Sequence, residues 1–203
     1  MKRIMLVLIM LGLSSLVRAD AGYWVGPKGT YLHPSNQYVK RDFRTFWGGG
    51  GEVGRRFKHF EVGLEGNYIT ARGKDDFEET EAGGVVVGYF WQRLSSFTLM
   101  PKIAFRPWIK RTPYLGLGLG CQWSSWTLEG LSHPLPDVPG RTVWVMCTDF
   151  FAGFDYRIRR WGGVRVEGAF RRPGETDNNS HYMLHSYANF RGLTASLETY
   201  VAW

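Results

Sequence analysis

The chain has 203 residues, of which 25 are Lys or Arg and 18 Asp or Glu, a formal charge of +7; 16% are aromatic and 26 are Gly. Lys and Arg are dispersed rather than clustered, which argues against nucleic-acid binding. After residue 17 no apolar run reaches even half of the roughly 20 residues a spanning helix needs, which excludes a helical membrane protein.

Met1, Lys2 and Arg3 give a basic start, Ile4 to Val17 an apolar run, and Val17-Arg18-Ala19 a small-residue cleavage site before Asp20. This pattern predicts a secretory signal peptide over 1–19, with processing after Ala21 as an alternative, and a single mature domain over 20–203. Removing 1–19 takes away Lys2, Arg3 and Arg18 and no acid, so the mature chain carries about +4.

From there the chain alternates with a period of two. Strands are predicted near 22–32, 43–54, 59–70, one within 82–106, then 113–125, 142–156, 163–171 and 190–203. Phe60, Val62, Leu64 and Tyr68 oppose Glu61, Gly63, Glu65 and Asn67. Leu115, Leu117, Leu119, Cys121 and Trp123 oppose Tyr114, Gly116, Gly118, Gly120, Gln122 and Ser124. The last eleven residues, Leu193 to Trp203, put Leu193, Ala195, Leu197, Thr199, Val201 and Trp203 on one face. That length matches the roughly 9 to 11 residues of a tilted membrane-crossing strand. No stretch has helical periodicity.

Short basic turns at Arg55 to Lys58 and Arg157 to Gly162 contrast with longer polar segments at His33–Asp42, Ala71–Glu81, Thr127–Arg141 and Arg172–Asn189. Short turns at one end and long loops at the other is the asymmetry of an outer-membrane barrel. The fold class expected is therefore all-β, an antiparallel up-and-down transmembrane barrel of eight strands. Ten strands is the alternative, because both Val85–Trp91 and Phe97–Arg106 are strand-like; Pro101, within the second, counts against a fully regular strand there.

Eight charged residues fall on inward faces: Glu61, Glu65, Lys102, Arg106, Arg165, Glu167, Arg171 and Glu198. In so narrow a barrel the interior is filled by side chains, and buried charges must pair. The set reads first as a structural network, with Arg165 or Glu167 beside Glu198; a small gated pore or a proton-linked site is the sharper alternative. Trp47, Trp108, Trp123, Trp126, Trp144, Trp161 and Trp203 lie near predicted strand ends, the placement of membrane-interface aromatics. Cys121 is expected outward and Cys147 inward, so no disulfide is expected. Gly116-Leu117-Gly118-Leu119-Gly120 is not a phosphate loop, since no helix follows it; its inward glycines leave room for bulky neighbours.

The signal peptide, Thr112-Pro113-Tyr114-Leu115-Gly116-Leu117-Gly118-Leu119-Gly120, the hairpin Phe151 to Tyr156 with Val164 to Gly168, and the terminal Trp203 together resemble the small outer-membrane β-barrel superfamily, the OmpA-like and OmpX-like domains. The resemblance implies a monomeric, non-enzymatic protein of the bacterial outer membrane with an envelope-structural or surface-recognition role through its loops. It implies as partners outer-membrane lipids and lipopolysaccharide, the barrel-assembly machinery through the terminal strand 193–203, and an extracellular ligand. No cofactor and no metal are expected.

Phe97 to Gly120 is also similar to the barrel deacylases that trim lipopolysaccharide. Aligning Gly163-Val164-Arg165 with their penultimate strand places Gly168 and Phe170 at the positions of the His and Ser of their motif, and neither can act as base or nucleophile. His181 and His185, near Asp177, Ser180 and Ser186, read as a solvated loop. A lipid-modifying enzyme and a secreted lipocalin-like barrel, whose faces would be reversed, remain the alternatives.

Overall fold

A computed structural model describes residues 22–81, 84–107, 112–131, 141–159, 161–174 and 191–203. The signal-peptide segment, Trp108, His181 and His185 lie outside them. Eight strands follow in order: β1 (Gly22–Pro34), β2 (Phe46–Arg56), β3 (Phe60–Glu81), β4 (Gly84–Phe105), β5 (Thr112–Leu131), β6 (Arg141–Arg159), β7 (Gly162–Pro173) and β8 (Gly192–Ala202). Each pairs antiparallel with the next, and β8 closes on β1, so the sheet is an up-and-down barrel with no free edge.

The ten-strand alternative is excluded by β4, which runs unbroken through both strand-like stretches of 84–105. Pro101 is accommodated within it: the β4–β5 ladder has no rung at Met100 or Pro101, where an amide donor is missing, while β3 still pairs on the other side. The predicted loop 71–81 is corrected to strand. Its acidic residues pair in register with 84–94, and Val85, Val86 and Val87, all β-branched, oppose Thr80, Glu79 and Glu78. The β3–β4 hairpin therefore stands above its neighbour β2, which begins only at Phe46.

The expectation of no helix is also corrected. A seven-residue helix, α1 (Gln37–Phe43), joins β1 to β2. It starts behind Asn36, a favoured capping residue whose carbonyl accepts from Lys40 N at 2.9 Å. It stops at Arg44, the one described non-glycine residue with positive φ, 55°, a left-handed cap. Val39 and Phe43 lie one turn apart and share a face. That face is fully buried against Leu32, Phe46, Ile69, Ala71 and Leu94. Two apolar positions in seven residues give too short a period to register as a helix in the sequence.

Outside, the belt is apolar. Leu115, Leu117, Leu119, Phe150, Phe154, Val166, Leu193 and Leu197 are all between 47% and 67% exposed. From Leu115 to Trp123, strand steps of ~3.4 Å tilted by ~40° climb roughly 21 Å, close to the ~25 Å apolar band of outer-membrane barrels. Inside, the described surface is largely polar and charged. A soluble ligand-binding barrel has the opposite arrangement, so the lipocalin-like alternative is overturned by the orientation of the two faces.

Candidate functional site

The interior is the candidate site, and it is built in tiers because each strand contributes an inward residue at every second position. At the end that carries both chain termini, Arg56, Arg106 and Arg165 meet Glu61, Asp155 and Glu198. Glu61 accepts from Arg56 Nε at 3.1 Å and is ion-paired with Arg106 and Arg165 at 2.9 and 2.6 Å. Asp155 lies 2.6 Å from Arg56 and 2.8 Å from Arg106, and accepts from Tyr200 Oη at 2.7 Å. Arg165 faces Glu198 in strict register and approaches it to 3.7 Å, while its guanidinium stacks 3.8 Å above the Trp24 ring.

The middle tier holds two ammonium groups and three carboxylates. Lys28 Nζ is 2.6 Å from Glu65 and 2.8 Å from Glu167. Lys102 Nζ reaches Glu52 at 3.2 Å, Glu65 at 3.1 Å and Glu167 at 2.8 Å, and sits 4.1 Å above the Phe151 ring. Tyr114 Oη donates to Glu167 at 3.3 Å. The glycines of β5 make this crowding possible: a Cβ on Gly116 would collide with the Phe151 ring, and one on Gly118 with Met100.

Above it, Arg171 makes a forked contact with Asp149 at 2.9 and 2.7 Å and donates to Thr98 Oγ1 at 3.0 Å. A polar floor of Asn67, Thr30, Gln122, Ser124 and Ser96 follows. The last tier is apolar: Val39 and Phe43 of α1 are pressed into Leu32, Phe46, Ile69 and Leu94, a stopper packed into the outer end of the interior on the β1–β4 side.

All eight charged residues singled out in the sequence point into this stack. Glu167 turns to Lys28 and Lys102, leaving Glu198 to Arg165. Alternation alone did not single out Lys28, Glu52, Arg56 or Asp155; it puts Asp149 inward with Cys147, though not in the charged network. Lys28 shares the phase of Trp24 and Thr30, a signal that could have been read. Glu52 follows Gly48–Gly51, where glycine erases the polarity pattern.

The tryptophans divide. Trp47, Trp123, Trp144, Trp161 and Trp203 are exposed on the outer wall. Tyr68, Phe97, Trp123 and Trp144 are cross-strand partners in one continuous row near the outer end. At the other end Tyr23 stacks on Trp203 and Phe60 packs on Phe105. Trp126 is a correction: it packs against the stopper, and its Nε1 donates to Gln92 at 2.7 Å. A position near a strand end predicted the interface, but the phase of β5 turns Trp126 inward.

Cys121 and Cys147 are free. Cys121 pairs across the ladder with Met146 and Cys147 with Gly120, so the two thiols occupy opposite faces of the wall. Gly168 and Phe170 face outward, so the penultimate strand offers no base or nucleophile at those positions. Among the described residues no three His, Cys, Asp or Glu side chains are grouped to hold a metal. The three charged tiers together set six cations among seven carboxylates and fill the space between them.

No family model matches the chain, and no curated protein matches it by sequence. Among solved structures it is similar to the outer membrane protein OprG of Pseudomonas aeruginosa, with a TM-score of 0.54, 10% identity, and 90% of this chain and 96% of that one covered. Neisserial surface protein A has a TM-score of 0.49 at 11% identity, covering 91% and 96%. Ail of Yersinia pestis, solved with the heparin analogue sucrose octasulfate, has 0.48 at 10%, covering 90% and 97%. At such identities the likeness is one of fold, that of the small eight-stranded outer-membrane barrels.

Proposed function

We propose that the chain is exported behind a leader spanning residues 1–19 and inserted as one domain, residues 20–203, in the bacterial outer membrane. There it is a monomeric, closed and non-catalytic scaffold that displays its outer-end segments for envelope contacts or recognition of a surface outside the cell. The terminal strand, 193–203, offers the assembly machinery an alternating segment ending on an aromatic.

One observation carries the reading: an apolar wall encloses an ion-paired interior, with α1 packed into its outer end on the β1–β4 side. Charges cannot face lipid unpaired, and apolar side chains exposed over such a belt have no use in water. An interior filled by ion-paired side chains favours display over transport. The test is SDS mobility of the outer-membrane fraction from cells expressing the full chain, boiled against unboiled. A faster unboiled band in that fraction supports the reading; recovery as a soluble periplasmic protein without a shift overturns it.

A further inference from the structure

Among the described residues, one concavity at the outer end is lined by polar and basic residue types, whereas the grooves of the belt are lined mostly by apolar ones. It has a volume of about 600 Å³ and is lined by His33, Gln37, Lys40, Arg41, Arg44 and Thr45. His33 stands on the outward phase of β1 and Thr45 just before β2, so the hollow opens on the outside of the wall between the tops of these strands. Immediately below lie Tyr31 and Trp47, cross-strand partners with ring centroids 4.6 Å apart. Aromatic pairs of this kind sit at head-group level, which puts the hollow at the depth of lipid phosphates.

Three cations converge there. Arg41 is held by Asp42, its Nε 2.6 Å from Oδ1, and the Asp42 side chain is itself buried. Lys40 and Arg44 have no carboxylate partner among the described residues. Lys40 and Arg41 also suit the negative end of the helix dipole, which by itself would explain a basic last turn. Arg44 is different. It lies beyond the helix in the left-handed region, φ 55°, where glycine is the favoured residue and a long side chain carries a conformational cost. A cation is kept at a position whose backbone asks for glycine, and its side chain lines the hollow.

Resting on the outer-membrane placement above, we propose that this hollow binds the phosphate groups of an outer-leaflet glycolipid head group. Lys40 and Arg44 supply the charge, Arg41 a guanidinium fixed by Asp42, and Thr45 and Gln37 neutral hydrogen-bonding groups. The bound lipid's acyl chains run down over Tyr31 and Trp47.

The test uses the full chain, purified from outer membranes and placed in phosphatidylcholine nanodiscs. Binding of bis-phosphorylated lipid A, of dephosphorylated lipid A and of soluble inositol hexakisphosphate is measured for the wild type, Arg44→Gly and Lys40→Gln/Arg44→Gly. Arg44→Gly suits the backbone and is expected to fold at least as well, so lost binding is not lost structure. Each removed cation near the head groups should weaken phosphorylated lipid A severalfold, with a loss of about tenfold or more in the double variant. Dephosphorylated lipid A should bind weakly to all three proteins. Equal binding of the two lipids, or unchanged affinity in the double variant, overturns the site. Binding of the soluble polyanion with none of the lipid overturns the lipid as its occupant. The heat-induced mobility shift, read on the same samples, reports separately whether the barrel reading itself has failed.

Discussion

Arg171 is fully buried and spends its guanidinium on Asp149 and Thr98 alone. Deleting one member of such a pair strands the other charge, which typically costs about 3 to 5 kcal/mol, whereas replacing both by apolar groups is often close to neutral. Arg171→Met should therefore lower the urea midpoint of the refolded barrel strongly, and adding Asp149→Leu should recover most of it; equal midpoints for the two variants would show that the pair is not coupled. Space is contested at the same scale. A side chain at Gly116 would strike both the Phe151 ring and the Ile103 carbonyl, while a Cβ at Gly66 meets nothing within 4 Å. Gly116→Val should cost about 1 to 3 kcal/mol in the same titration and Gly66→Ala well under 1. Alternation made the inward faces of β3, β5, β7 and β8 legible, since a polar phase needs only the sequence. The Arg165–Glu198 contact between neighbouring strands was among those anticipated, but the partners of Glu167 were not legible, because it meets Lys28 and Lys102 only once barrel closure has fixed the register of strands far apart in the chain.

At the scale of elements, α1 and the β3–β4 hairpin were the segments hardest to read. Both are polar stretches whose form is imposed from outside: α1 by the open mouth that Val39 and Phe43 fill, and the hairpin by pairing with 84–94. Gly73 marks where the two meet, since a Cβ there would collide with the Asp42 carbonyl. Among the described elements α1 is the one outside the sheet's backbone pairing, so its stability rests on burial. Phe43→Ala should remove about 3 kcal/mol or more of local stability, seen as faster hydrogen exchange over 37–43 with little change in the β5–β8 amides. Uniform acceleration throughout the barrel would mean that the helix and the wall unfold as one unit. Planar-bilayer conductance should remain low in this variant, because the Arg171 and Lys102 tiers still occupy the interior beneath; steady channels from Phe43→Ala would mean that α1 alone closes the barrel.

The whole molecule depends on closure. Tyr23 N donates to the Trp203 carbonyl at 2.9 Å and Trp203 N to the Tyr23 carbonyl at 3.0 Å, so the start of β1 and the residue that follows β8 are joined by two backbone bonds. Closure leaves no strand edge in lipid, where each unsatisfied amide or carbonyl costs several kcal/mol. The closing strand β8 also carries Glu198 to Arg165 of its neighbour β7, so sheet and interior are completed by the same strand. Cutting the chain before Gly192 would expose one edge each of β1 and β7 and remove a carboxylate from the first tier. Such a chain should show no heat-induced mobility shift and should fail to refold into bilayers. Trp203→Ala is the milder case: the ladder of β8 persists through Ala202, and only the Tyr23 stack and the terminal interface ring are lost. It should still refold and still shift, with a lower urea midpoint and slower insertion. If the truncated chain refolded and Trp203→Ala did not, the terminal aromatic rather than strand closure would be what commits the barrel to the membrane.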